Sequence, residues 1–385
     1  MNDRDQVSHG DILIVDDTPA NLRLLSQMLS EDGYNVRAVT SGARALDSIN
    51  IARPHLILLD IKMPDMDGYE VCEQLKADEK TSHIPVIFIS ALDDIDAKIR
   101  AFQSGGVDYI TKPFQLEEVL ARTKTHLEMQ NLQKRLREAN RKFEWELQLA
   151  GRVQTNFLPT EIPNIAGYEI AMKLKPARET SGDFFDIFPL AEGKFSFTVA
   201  DVVDKGVGAA LFMVYSWSLM RTYTSELYQN PSEVMRRVNQ RIMVDTIGDQ
   251  FVTVFFSVLD PPSGIFRYSN AGHTPPIHWT SNNNNHVNEL KATGTVLGLF
   301  EDHSWEQAEI KIEPGDILVL YSDGIPDAQN EQGLFFDQER LFDSIGRRVT
   351  ESANNICEGV LADVADHIGN ALQVDDIVIM VIVRR

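Results

Sequence analysis

The sequence predicts a multidomain protein: an α/β doubly wound parallel sheet, a long coiled-coil linker helix and an α+β two-sheet sandwich. Three observations predict it. From Asp11 to about Lys124, short apolar runs alternate with amphipathic stretches, as in a parallel sheet covered on both faces. From Gln115 to Phe157 there is no proline, charged residues abound and apolar residues thin to a narrow stripe, so a helix too long for one domain is expected. Beyond Pro159, strand-like runs are punctuated by helical stretches, which suggests two packed sheets with flanking helices. The expected divisions are a polar tail over 1–10, a first domain over 11–127, the linker over 128–158 and a second domain over 159–385.

Composition narrows the function classes. The chain has 385 residues, 43% of them hydrophobic and 24% charged, with ample material for two or three cores. A net charge of −21 argues against direct binding of nucleic acid, whose phosphates need a basic surface. Cys72 and Cys357 lie far apart, which excludes a disulfide framework and fits a reducing cytoplasm. Met1 to Gly10 is polar and has no signal-peptide pattern. The longest apolar run, Ile377 to Val383, is far shorter than a membrane span. A soluble cytoplasmic protein without a membrane partner is expected.

In the first domain the apolar runs are Ile12–Val15, Val36–Val39, Leu56–Leu59, Val86–Ile89 and Tyr109–Thr111. Ligands of such sheets bind beyond the carboxyl ends of the strands. The residues at those ends are Asp16 and Asp17, Asp60, Ser90, and Lys112 before Pro113. Carboxylates gathered at one sheet edge repel one another unless a cation neutralises them, and oxygen ligands select a hard ion such as magnesium. A nearby lysine supplies a point charge for a phosphoryl group, and an aspartate can be its covalent acceptor. Asp60 follows a buried run and precedes the turn through Met63-Pro64 and Asp67-Gly68, which would hold it rigidly.

The segments ILIVDD, LILLDIKMPDMDG, VIFISA and YITKPF resemble the receiver domain of bacterial response regulators, from about Asp11 to Leu127. The resemblance implies that Asp60 is the phosphoacceptor. It implies that Asp16, Asp17 and the main-chain carbonyl of Lys62 hold Mg2+ together with Asp60. Ser90 would be the switch hydroxyl, Tyr109 the aromatic that turns inward with it, and Lys112 the contact to the phosphoryl group. A cis bond before Pro113 is also implied.

Along the linker, Leu132, Leu136, Ala139 and Phe143 recur at three- and four-residue steps. The stripe resumes at Ala150, Val153 and Phe157, with Glu146 breaking it. This seam argues for a two-stranded coiled coil and a homodimer, against the plainer alternative of a solvated spacer helix.

In the second domain four acidic residues stand at the ends of apolar runs. They are Asp183 in TSGDFFD, Asp201 in TVADVVDKG, Asp323 in LVLYSDG and Asp375 in VDDIVIMV. There is no serine-histidine nucleophile motif, no phosphate-binding glycine loop and no Cys/His zinc pattern. Carboxylate-only sites favour magnesium or manganese, and two such ions can clamp an in-line phosphoryl displacement without a covalent intermediate.

The segments SGDFFD, ADVVDKGVGAAL, NAGHTPP, YSDGIPDA and DDIVIMV resemble the PPM-type metal-dependent serine/threonine phosphatases, in the branch of sporulation and stress-response enzymes. The likeness runs from about Ala150 to Arg385. It implies two Mg2+ or Mn2+ ions, bridged by Asp201 and held by the carbonyl of Val202 with Asp183, Asp323 and Asp375. Between Asp375 and Asp376 the first is preferred. Ser181-Gly182 replaces the paired glycines of the family, a change expected to be tolerated. Arg178 is a candidate phosphate contact. Asn270 and His273 sit in a family motif, His273 either shaping its loop or assisting as an acid. Gly206 is expected to permit close approach to the site.

Together these resemblances imply a sensor histidine kinase or phosphotransfer protein acting on Asp60, whose phosphorylation controls the phosphatase. The substrate class implied is a phosphoprotein, an anti-sigma-factor antagonist. The competing expectation is a receiver-gated binding adaptor whose second domain does no chemistry.

Overall fold

The computed structural model describes residues 10–91, 95–245, 250–281 and 287–385. Most of the expected tail lies outside them, as do the run Asn282–Asn285, which the sequence suggests is a solvated hairpin tip, and the last residues of a stretch whose pattern predicts a helix from Pro231 to Ile247. The chain divides into two compact units, Met1–Arg141 and Lys142–Arg385.

In the first unit, β1 (Asp11–Val15), β2 (Asn35–Val39), β3 (Leu56–Asp60), β4 (Val86–Ser90) and β5 (Asp108–Thr111) form one parallel sheet in the order β2-β1-β3-β4-β5. The connections contain α1 (Pro19–Glu31), α2 (Gly42–Ile51), α3 (Gly68–Ala77) and α4 (Ile95–Gln103). Alternate residues of the central strands feed two cores. Leu13, Val15, Ile57, Leu59 and Phe88 pack with α2 and α3. Ile12, Ile14, Leu58, Ile87 and Ile89 pack with α1. That two-sided burial is why these strands read as unbroken apolar runs. Pro19 opens α1, and Asp67 starts α3 with a capping box to Glu70.

Helix α5 (Leu116–Thr155) starts in the first unit and ends in the second. The boundary between units falls inside the helix, within the stretch 128–158 expected as linker. Three successive i−3 bonds, from Asn156, Phe157 and Leu158, close its last turn, so Phe157 is no longer helical. It packs edge-on against Trp217 at 5.3 Å and cannot extend the seam as expected. Leu132, Leu136, Phe143 and Val153 are all more than half exposed.

The second unit is a two-sheet sandwich with helices on both outer faces. One sheet has the order β13-β10-β9-β8-β7, built from β7 (Phe184–Pro189), β8 (Phe195–Val202), β9 (Val252–Asp260), β10 (Ile265–Ala271) and β13 (Ala308–Lys311). The other has the order β12-β11-β14-β15-β6, built from β6 (Tyr168–Lys175), β11 (Ile277–Trp279), β12 (Val287–Glu289), β14 (Ile317–Tyr321) and β15 (Ile377–Arg384). Helices α6 (Val207–Leu227) and α7 (Pro231–Asp245) cover the first sheet, and α8 (Asp337–Gly346) and α9 (Ala353–Ile368) the second. Strand β15 explains the longest apolar run. Val378, Met380 and Ile382 face the opposite sheet, while Ile377, Ile379, Val381 and Val383 face α8 and α9. Among the described residues no helix is long and apolar enough to cross a membrane.

Candidate functional site

Each unit carries its own acidic site. In the first, Asp16, Asp17 and Asp60 each offer an oxygen within 4.8 Å of the others, at the ends of β1 and β3. Lys112 Nζ stands 2.8 Å from Asp16 and 3.0 Å from Asp60. Asn21 and the amide of Thr18 donate to Asp16, which fixes that carboxylate. Burial raises the Asp60 carboxyl, Lys112 opposes the shift, and the charges of Asp16 and Asp17 add to it. Burial also works against the Lys112 ammonium, but its bonds to Asp16 and Asp60 outweigh this and hold it above the usual lysine range. A cavity of about 680 Å³ opens over these groups, lined also by Lys62 and Ser90. Gly68 is indispensable to the packing, since a Cβ there would lie 2.3 Å from the Asp60 carbonyl. Tyr109 is half-buried, edge-on to Phe102 and beneath Lys98. The Lys112–Pro113 bond is cis, as the resemblance implied.

In the second unit Asp183 immediately precedes β7, Asp201 lies in β8, Asp323 follows β14, and Asp375 precedes β15. The sandwich therefore brings strand ends of both sheets near enough for these carboxylates to repel one another, although among the described residues only Asp16, Asp17 and Asp60 gather three ligand oxygens within 4.8 Å. Burial pushes the Asp201 carboxyl up to about 7, with the charges of Asp323, Asp375 and Asp376 adding to the shift. Asp183 is also raised, by burial and then by Asp201. Burial raises Asp323, with Asp375 and Asp327 contributing and Lys205 opposing. The buried Asp183 Oδ2 has no hydrogen-bond partner. Crowded carboxylates with an orphaned buried oxygen fit hard divalent ions, and the all-oxygen donor set is the one magnesium and manganese prefer. Val202 follows Asp201 in β8 and is buried.

Several supporting residues carry no sequence signal of their own. Asp376 is 7% exposed and accepts bonds from Ala177 N, Ser181 Oγ and Gly182 N at 2.7–2.9 Å. The Ser181 hydroxyl thus makes a bond to Asp376 that a glycine could not. Buried Asp186 takes two bonds from Arg221, whose guanidinium also lies over the Trp217 and Phe188 rings. Thr253 pairs with His273 Nδ1 at 2.8 Å, and Asn270 ties its own loop through the backbone of His273. That arrangement favours the loop-shaping role of His273. At Gly206 the backbone conformation is itself a reason for glycine. Nothing lies within 4 Å of a Cβ placed there, and its φ of +89° is what calls for glycine. Arg178 is exposed on the segment leading to Asp183.

Comparison with known proteins agrees with this architecture. The response regulator receiver domain family matches residues 12–124, and the family described as stage II sporulation protein E (SpoIIE) matches residues 191–385. Protein IcfG of Synechocystis sp. is 31% identical over 266 residues, covering 62% of this chain and 41% of that protein. Phosphoserine phosphatase RsbU of Bacillus subtilis is 28% identical over 228 residues, covering 58% of this chain and 66% of that protein. The chain therefore spans less than two thirds of either relative. In fold, the second unit is similar to the SiaA-PP2C domain of Pseudomonas aeruginosa, with a TM-score of 0.56 at 20% identity over 63% of this chain and 97% of that one.

Proposed function

Because the chain belongs to the SpoIIE family and carries a receiver domain ahead of its PP2C-type domain, we propose that phosphorylation of Asp60 controls a metal-dependent protein serine/threonine phosphatase. The observation that carries this reading is the pairing of two acidic sites in one chain. One is a receiver pocket with a lysine poised on its acceptor aspartate. The other gathers carboxylates from both sheets of a sandwich.

In the receiver, Asp16, Asp17, Asp60 and the Lys62 carbonyl would hold Mg2+, which when bound would neutralise charge during phosphoryl transfer. Asp60 attacks the phosphorus of a phosphohistidine on a sensor histidine kinase or phosphotransfer protein, and histidine leaves. Lys112 then pairs with the new phosphoryl oxygens, and Ser90 and Tyr109 relay the change.

In the second unit, Asp183, Asp201, Asp323, Asp375 and the Val202 carbonyl would hold two Mg2+ or Mn2+ ions, which when bound would supply Lewis acidity toward a phosphate ester and water. The chain's own part is to orient these carboxylates and fix them at the strand ends. Arg178 is the candidate contact to the substrate phosphate. The substrate is a phosphoserine or phosphothreonine protein of the anti-sigma-factor-antagonist type, a class suggested by the resemblance to stress-response phosphatases. The exposed stripe on α5 supports a homodimer through the linker.

Hydrolysis of an aryl phosphate with Mg2+ or Mn2+ tests the enzyme reading. Turnover that needs the metal and is abolished in Asp201→Ala is expected. No turnover on the aryl phosphate or on a phosphorylated antagonist protein would leave only a binding role.

A further inference from the structure

We infer that Gln154, on the last turn of α5, is a positioning residue for Asp183. This rests on reading Asp183 as a divalent-ion ligand. Gln154 is 6% exposed, although the helix before it is largely solvated. Its side-chain Nε2 donates to the Ser181 carbonyl at 2.5 Å, and its Oε1 accepts from the Ser181 amide at 3.0 Å. The segment between β6 and β7 belongs to no strand, so buried Ser181 has no ladder partner for these groups. The carboxamide replaces that partner, offering a donor and an acceptor together.

The fit extends one turn back along the helix. A Cβ at Gly151 would lie 1.9 Å from the Glu179 carbonyl, so the helix backbone lies flush against this segment only because residue 151 is glycine. From Ser181 the constraint passes outward. Its hydroxyl donates to Asp376 at 2.8 Å and lies 3.0 Å from the Asp183 amide, while Gly182 N donates to the same Asp376 oxygen. Asp183 Oδ2 has no hydrogen-bond partner, and the carboxyl otherwise meets Asp201 and the Ser322 side chain, so the backbone that Gln154 and Asp376 hold sets where it starts from. Displacement of the end of α5 therefore reaches Asp183 through two hydrogen bonds and one residue.

The test uses the full chain with Asp17→Ala as the common background, so that bound Mn2+ reports the second unit. Gln154→Met keeps the side chain's length and removes both bonds. Gly151→Ala raises helix propensity and pushes the helix off the segment. Both are expected to weaken Mn2+ binding in calorimetry about tenfold, as loss of a ligand-orienting partner typically does. They should also lower kcat with little change in KM and speed amide exchange at Ser181 and Gly182. Gln154→Glu keeps only the acceptor and should fall between. Variants with parental Mn2+ affinity and kcat, whatever their melting temperature, would overturn the inference. A parent that binds no Mn2+ would overturn the ion-site reading and this inference with it.

Discussion

Lys205 Nζ stands 2.9 Å from Asp375 Oδ2, whereas the next residue, Asp376, turns inward to tie three groups of the Ala177–Gly182 segment. Two adjacent carboxylates thus have different work. Asp375→Asn is expected to weaken divalent-ion binding with little change in melting temperature. Asp376→Ala leaves three donors without their acceptor and should destabilise the fold by about 2–4 kcal/mol. Calorimetric unfolding and ion titration of both variants check the division, and reversed outcomes would exchange the roles.

The Asp186–Arg221 pair gives a stability prediction. Asp186 is 3% exposed in its side chain and receives both its charged bonds from Arg221, which is itself 39% exposed. Arg221→Met strands a buried carboxylate and should cost about 3 kcal/mol, at the low end for a broken buried pair because water reaches the arginine side. Replacing both, with Asp186→Leu added, should recover part of the loss in chemical denaturation.

His273 predicts a pH dependence. Burial pushes its imidazole down to about 4 from the usual 6.5. The folded state therefore keeps it neutral while the unfolded chain takes up a proton below about pH 6.5. Its contribution is full above 6.5 and lost as pH falls toward 4, amounting to roughly 3 kcal/mol at most. The stability difference between wild type and His273→Asn should shrink from pH 7 to pH 4.5. Parallel curves would contradict the assignment.

In the first unit, Mg2+ should stabilise through the Asp16, Asp17 and Asp60 site. At a hundredfold excess over its dissociation constant the gain is about 2.7 kcal/mol. Asp17→Ala should abolish the increase in melting temperature of the receiver, while Lys112→Ala should leave ion binding in place and impair phosphoryl transfer to Asp60.

Much of this was legible in the chain. The central strands of the first sheet, β1, β3 and β4, announce themselves because burial on both faces leaves no polar alternation, and the acidic pocket lies at their carboxyl ends. The same holds for β15, whose run is apolar because a sheet covers one face and helices the other. What stayed hidden depends on direction rather than composition. Nothing local distinguishes Asp375 from Asp376, since which one faces inward is decided by Ser181, almost two hundred residues away along the chain. Gln154 reads as one more polar residue on a polar helix, and its burial follows from Gly151 letting the helix settle against Glu179. The unit boundary inside α5 is likewise invisible, because the helical pattern continues through it.

The account's central claim is that Asp60 governs the carboxylate site of the second unit. The most direct measurement is steady-state aryl-phosphate turnover with Mn2+ present, before and after treatment with an acyl-phosphate donor, for wild type and Asp60→Asn. A change in turnover on treatment of the wild type that is absent in Asp60→Asn is the predicted result. Turnover that is identical in all four conditions, with mass spectrometry showing Asp60 phosphorylated in the treated wild type, would contradict it.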